Sequence, residues 1–139
     1  MSEIGLRPKM LVRDVMSSPV VTMDEDETAN KAAENMDMKD LGAVIVQNKA
    51  GKSIGIITER DIVKRVVAKN LKPDTVKAKE IMTTPLVTIE PEETISDAAR
   101  RMTRLDIRRL GVIYKGNLVG IISSKDILGV MPELIEIMQ

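Results

Sequence analysis

The residues best placed to do chemistry stand in a seven-residue run that occurs twice, Gly55-Ile56-Ile57-Thr58-Glu59-Arg60-Asp61 and Gly120-Ile121-Ile122-Ser123-Ser124-Lys125-Asp126. In each, an apolar stretch meets a hydroxyl residue, and an aspartate follows three positions later. That spacing predicts a buried strand running straight into a helix, and it has two readings. Thr58 or Ser123 can be the N-cap and Asp61 or Asp126 the third helical residue of a capping box, which satisfies backbone amides and needs no ligand. Alternatively, a hydroxyl beside free amides suits a phosphate. The carboxylate one turn in can then accept two hydrogen bonds from a ribose diol, and the glycine lets backbone or ligand approach closely.

Composition excludes much other chemistry. The 139 residues include no histidine and no cysteine. A Ser-His-Asp triad, a cysteine nucleophile, an imidazole or thiolate metal site and a disulfide are therefore ruled out. Aspartate, lysine and serine remain, but no nucleophile and base stand at a motif-like spacing, so no enzyme is expected. Lysine plus arginine, 21, equals aspartate plus glutamate, 21, which gives no broad field for nucleic acid or an anionic membrane. The one aromatic residue, Tyr114, offers no platform for stacking successive bases. Apolar runs are short and the first residues lack signal-peptide architecture, so a cytoplasmic protein without a membrane span is expected.

The elements that must position the twin runs are themselves repeated. Val15-Met16-Ser17-Ser18-Pro19-Val20-Val21-Thr22 returns as Ile81-Met82-Thr83-Thr84-Pro85-Leu86-Val87-Thr88, and the register continues through Ala32-Ala33 and Ala98-Ala99. Each copy reads strand, helix, strand, strand, helix. An acidic turn, Asp24 to Glu27 or Glu90 to Glu93, is expected to favour the start of the first helix through its carboxylates. It lacks the alternating oxygen ligands and glycine of a calcium loop. Apolar residues at Ala29, Ala32, Ala33 and Met36, and at Ile95, Ala98, Ala99 and Met102, mark one buried helical face. Two β-branched runs follow, joined by a turn at Gly51 or Gly116. Residues 70 to 79 read as a polar connector, residues 1 to 11 and 132 to 139 lie outside the repeats, and Pro132 to Met138 has the spacing of a short amphipathic helix. A unit this small is marginal alone, so the copies are expected to pack as a pseudo-twofold pair. Arg100, Arg101 and Arg104 fall opposite Ala98 and Met102 and read as a solvated face. Arg108 and Arg109, beyond the helix end, are better phosphate candidates.

The ordered set of Met-Ser/Thr-x-Pro, Val-x-Thr, a helix with Ala-Ala, a strand pair and Gly-Ile-Ile-Thr/Ser-x-x-Asp, present twice, resembles tandem CBS domains, a Bateman module. The resemblance covers repeats at 12–68 and 78–131, followed by the tail at 132–139. It implies an α+β fold of the sandwich type, without catalysis, whose clefts between the two repeats bind adenosine compounds such as AMP, ADP, ATP or S-adenosylmethionine. By position, Asp61 and Asp126 would hold ribose hydroxyls, and Thr58 and Ser123 would meet ribose or phosphate. Ile56 and Ile121, with Thr22 and Thr88, would line the adenine. Arg108 and Arg109, just before the second copy's central strand, would face phosphates, where the first copy has Leu41-Gly42. A proline often found before this strand is replaced by Ala43 and Gly111. The implied protein is a stand-alone regulatory sensor of adenine nucleotide, a homodimer acting on an unknown regulated protein. It requires no cofactor or metal. The alternative is a structural or protein-interaction module with no bound nucleotide.

Overall fold

A computed structural model describes residues 10–18 and 20–131. The elements are α1 (Val12–Val15), β1 (Thr22–Asp24), α2 (Ala29–Met38), β2 (Ala43–Gln47), β3 (Ser53–Thr58), α3 (Glu59–Ile62), α4 (Ala78–Ile81), β4 (Thr88–Ile89), α5 (Ile95–Leu105), β5 (Arg109–Tyr114), β6 (Asn117–Ser123) and α6 (Ser124–Gly129). A π-helical turn, Val63–Val67, continues α3. The expected strand-helix-strand-strand-helix order holds in both copies. The tail at 132–139 lies outside the described residues.

The chain forms two compact units, Val20–Val87 and Met1–Pro19 with Thr88–Gln139, here called the Asp61 unit and the Asp126 unit. Each contains one three-stranded mixed sheet, ordered β1-β2-β3 or β4-β5-β6. The first strand is parallel to the central one, which an intervening helix makes possible, and the third is antiparallel. Both central strands carry an irregularity at the same place, after Val46 and after Val112.

Strand alternation assigns the two faces. In the Asp61 unit, Met23, Val44, Val46 and Ile57 pack with Ala29, Ala32 and Met36 of α2 and with Val66, Val76, Ala78 and Ile81. Full burial of a Val, Ile or Met side chain stabilises by about 1.5–3 kcal/mol, so Val44, Val46, Ile57, Val66 and Ile81 carry most of this core, with Met36 the largest contribution from the stripe foreseen in α2. Thr22, Ala43, Ile45, Ile56 and Thr58 share the other face, because Thr22 pairs with Ile45, Ile45 with Ile56, and Ala43 with Thr58.

Two expectations need correction. The acidic turns do not cap their helices. Thr28 and Thr94 are the N-caps, their hydroxyls accepting from Lys31 N and Asp97 N. The carboxylates instead close the turn, Asp24 accepting from Asp26 N and Glu27 from Asp24 N, and Asp26 faces Lys79, Lys49 and Lys77 at 3.0, 3.1 and 3.6 Å. The connector is also not merely polar. Val76 and Ala78 are buried core residues, and Ala78 N donates to Glu27 O at 2.7 Å. Residues 10 and 11, which precede the first repeat, pair with the backbone at the start of α5: Ile95 N donates to Met10 O, and Leu11 bridges Thr94.

The two leading segments are exchanged between the repeats. α1, which opens the first repeat, docks in the Asp126 unit, where Val12 N donates to Glu93 O at 2.8 Å. Ser17 then forms an antiparallel bridge with Ile121 on the open edge of β6, and Thr83 does the same with Ile56 on β3. The glycines of the twin motif make this close approach possible. A Cβ on Gly55 would lie 2.6 Å from Met82 Sδ, and one on Gly120 would lie 2.6 Å from Met16 Sδ. The neighbour that approaches is therefore the chain itself.

Candidate functional site

Each strand-to-helix corner is closed by a complete capping box. In the Asp61 unit, Thr58 Oγ1 accepts from Asp61 N at 3.3 Å, and Asp61 Oδ2 accepts from Thr58 N at 2.9 Å and from Thr58 Oγ1 at 3.2 Å. In the Asp126 unit, Ser123 Oγ accepts from Asp126 N at 3.1 Å, and Asp126 Oδ2 accepts from Ser123 N at 2.8 Å. The capping reading of the motif is thus structural fact. It uses one carboxylate oxygen of each aspartate and leaves the chemistry of the other to be decided locally.

The second oxygen distinguishes the corners. Asp61 Oδ1 accepts from Thr83 Oγ1 at 3.1 Å and faces Arg65 Nε at 3.7 Å. The Arg65 guanidinium in turn donates to the carbonyls of Ile81 and Met82 at 3.2 and 2.9 Å. Asp61 is 6% exposed, the one buried charged residue among those described. Asp126 is half-buried, and among the described residues no hydrogen bond reaches its Oδ1.

Register gathers the other candidates. Thr22, Ile45 and Ile56 form one row across the first sheet, with Thr58 one pleat along on the same face. In the second sheet the row is Thr88, Gly111 and Ile121, and the next pair is Arg109 opposite Ser123. Arg108 is exposed, and its carbonyl accepts from Ser124 N at 2.9 Å at the start of α6. All ten candidates thus fall at two matching corners: Thr22, Ile56, Thr58 and Asp61 at one, and Thr88, Arg108, Arg109, Ile121, Ser123 and Asp126 at the other.

Details of the sequence reading shift. Arg109 is the first residue of β5 rather than a residue before it, and its counterpart opposite Thr58 is Ala43. Gly111 lies inside β5, where its counterpart is Ile45, so Ala43 and Gly111 are not equivalent positions. Arg101 is not simply solvated: it donates to Thr88 O at 2.9 Å and to Glu93 Oε1 at 2.9 Å, fixing the backbone of β4. Sequence reasoning missed Thr83 and Arg65. The signal for Thr83 was the repeated Met-Ser/Thr pair, whose partner in space belongs to the other copy.

Comparison with known proteins places this architecture. The chain is 38% identical, over 89% of its length, to an uncharacterised protein of Methanopyrus kandleri, of which it spans 64%. A hexameric CBS-CP12 protein from bloom-forming cyanobacteria matches with a TM-score of 0.84 at 35% identity, covering 91% of this chain and 73% of that one. A CBS domain pair solved in complex with 5'-methylthioadenosine and S-adenosyl-L-methionine matches with a TM-score of 0.80 at 28% identity, covering 95% of this chain and all of that one. The CBS domain family itself matches twice, at residues 12–68 and 78–133, in step with the internal repeat. The chain therefore belongs to the CBS domain family and carries two copies of the domain.

Proposed function

We propose that the protein is a regulatory module that binds an adenosine-containing ligand, AMP, ADP, ATP or S-adenosylmethionine, at its strand-to-helix corners. The observation that carries this reading is the second sheet's register, which puts Thr88, Ile121, Arg109 and Ser123 on one face beside the Asp126 carboxylate. A carboxylate oxygen can accept from a ribose diol, and aliphatic walls can flank adenine. A guanidinium can hold a phosphate bidentately. The similar domain pair solved with two adenosine compounds supports the same class of ligand. No chemistry on the ligand is proposed. Regulation would follow from tighter binding to one arrangement of the protein than to another, passed on to a partner protein.

A homodimer is part of this proposal. Val63 and Val67, 60% and 67% exposed, stand one helical turn apart, and light scattering tests whether such helical faces pair. The alternative, a structural or interaction module without nucleotide, is favoured by one observation: the capping boxes are complete without a ligand. A thermal-shift screen with AMP, ATP, S-adenosylmethionine and NAD separates the two. A ligand at 100 times its Kd stabilises by about 2.7 kcal/mol, whereas no shift with any of the four supports the alternative.

A further inference from the structure

The two corners share a backbone but differ in three side-chain features, and all three point the same way. The first is the carboxylate. Asp61 Oδ1 is taken by Thr83 and faces Arg65, and Arg65 is anchored on the Ile81 and Met82 carbonyls. In the Asp126 unit the position four residues on is Val130, and the bridge residue matching Thr83 is Ser17. Among the described residues no side chain bonds Asp126 Oδ1.

The second feature is the residue at the centre of the sheet row. The row Thr22, Ile45, Ile56 has a fully buried isoleucine at its centre, whereas the row Thr88, Gly111, Ile121 has no side chain there. The third is charge. Opposite the hydroxyl residue stands Ala43 in one unit and Arg109 in the other, preceded by Gly42 and by Arg108. An anionic adenosine ligand needs a carboxylate oxygen not already used, space for a flat base against the sheet, and a cation for its phosphate. The Asp126 corner has the unused oxygen, a buried glycine where the base would lie and an arginine opposite its hydroxyl residue, whereas the Asp61 corner has its oxygen taken, an isoleucine in that place and an alanine opposite its hydroxyl residue.

We infer that the chain has one high-affinity site for a phosphorylated adenosine compound, at the Asp126 corner, and that Thr83 and Arg65 occupy the Asp61 carboxylate in place of a ligand. This rests on the nucleotide reading above. The Asp61 corner is then a clasp that holds residues 81–83 against β3. Its three partners saturate a buried carboxylate that would be costly to leave unpaired.

Calorimetric titration of the full chain with AMP tests this. One AMP is expected per wild-type chain, and Asp126→Asn should raise Kd at least tenfold. Opening the clasp with Thr83→Val and Arg65→Gln should lower the urea midpoint of unfolding and leave the single AMP event in place, whereas Ser17→Ala, the matching change in the other unit, should leave the midpoint unchanged. Thr83→Ala alone, which keeps the backbone bridge and the Arg65 anchors, serves if the double variant fails to fold by circular dichroism. Two equivalent sites in the wild type, or undiminished affinity in a folded Asp126→Asn protein, overturns the asymmetry. Folded clasp variants as stable as the wild type overturn the clasp. Absence of any binding of AMP, ATP, adenosine and S-adenosylmethionine overturns the nucleotide reading itself, and this inference with it.

Discussion

Alanine at Gly55 should cost the fold more than alanine at Gly120, although the two glycines hold the same place in the repeat. Neither has a positive φ, so the cost comes from space alone. At Gly55 a Cβ would stand 2.6 Å from Met82 Sδ and 2.9 Å from the Thr83 carbonyl oxygen. The methionine can swing away. The carbonyl cannot, because it accepts Ile56 N at 3.0 Å while Thr83 N donates to Ile56 O at 2.8 Å. Relief therefore requires stretching that bridge. At Gly120 the clash with Met16 Sδ is the same, but the backbone oxygen of Ser17 is at 3.1 Å, where a shift of a few tenths of an ångström suffices. Overpacking costs roughly 1–3 kcal/mol, the lower end applying at Gly120, where only the flexible methionine must move far, and each bridge hydrogen bond contributes about 0.5–1.5 kcal/mol. The lower chain entropy of alanine offsets about 0.4–1 kcal/mol of either loss. Gly55→Ala should thus lose about 1–3 kcal/mol and Gly120→Ala about 0–1 kcal/mol. Urea unfolding followed by far-ultraviolet circular dichroism measures both, since the chain has no tryptophan. Equal losses, a larger loss at Gly120, or two variants as stable as the wild type would show that the Thr83 carbonyl is not the obstacle.

Replacing Arg108 and Arg109 together by alanine should weaken AMP binding far more than adenosine binding and reduce the salt dependence of AMP affinity; an equal loss for both ligands would instead indicate a damaged fold. The Lys79 ammonium and then the Lys49 ammonium, 3.0 and 3.1 Å from the carboxylate, hold the Asp26 carboxyl down at about 2, against an ordinary 3.8. Its contribution to stability is therefore complete above about pH 4 and lost as pH falls through 2, so acid unfolding of Asp26→Asn should be less steep over that window. Ser123→Ala should lose about 0.5–2 kcal/mol as a removed N-cap. Thr58→Ala should lose at least as much, because the Thr58 hydroxyl also donates to the buried Asp61 carboxylate.

The parts of the fold that local physics dictates were legible in the sequence. Alternation and β-branching marked β2, β3, β5 and β6. The spacing of Ala29, Ala32 and Met36 marked the buried stripe of α2, and Thr58-x-x-Asp61 and Ser123-x-x-Asp126 marked the corners. The family resemblance, carried by the same motifs, is shown by the family match. What escaped depends on partners distant in sequence. Thr83 meets Asp61 across 22 residues and Ser17 meets Ile121 across 104, so no local pattern announces either contact. The exchange of leading segments has the same origin. A repeat found by self-similarity is cut where the sequence recurs, whereas a compact unit is cut where packing ends. The lysines around Asp26 were equally hidden, because Lys49, Lys77 and Lys79 converge only once the chain has folded back on the acidic turn.

Binding of an adenosine ligand at the Asp126 corner is read by titrating the isotopically labelled chain with AMP and following backbone amide signals by NMR. Saturable shifts concentrated at Gly111, Ile121, Ser123 and Asp126, with the matching amides of Ile45, Ile56, Thr58 and Asp61 much less affected, are the predicted result. Shifts scattered away from both corners, or none at millimolar AMP, would contradict it.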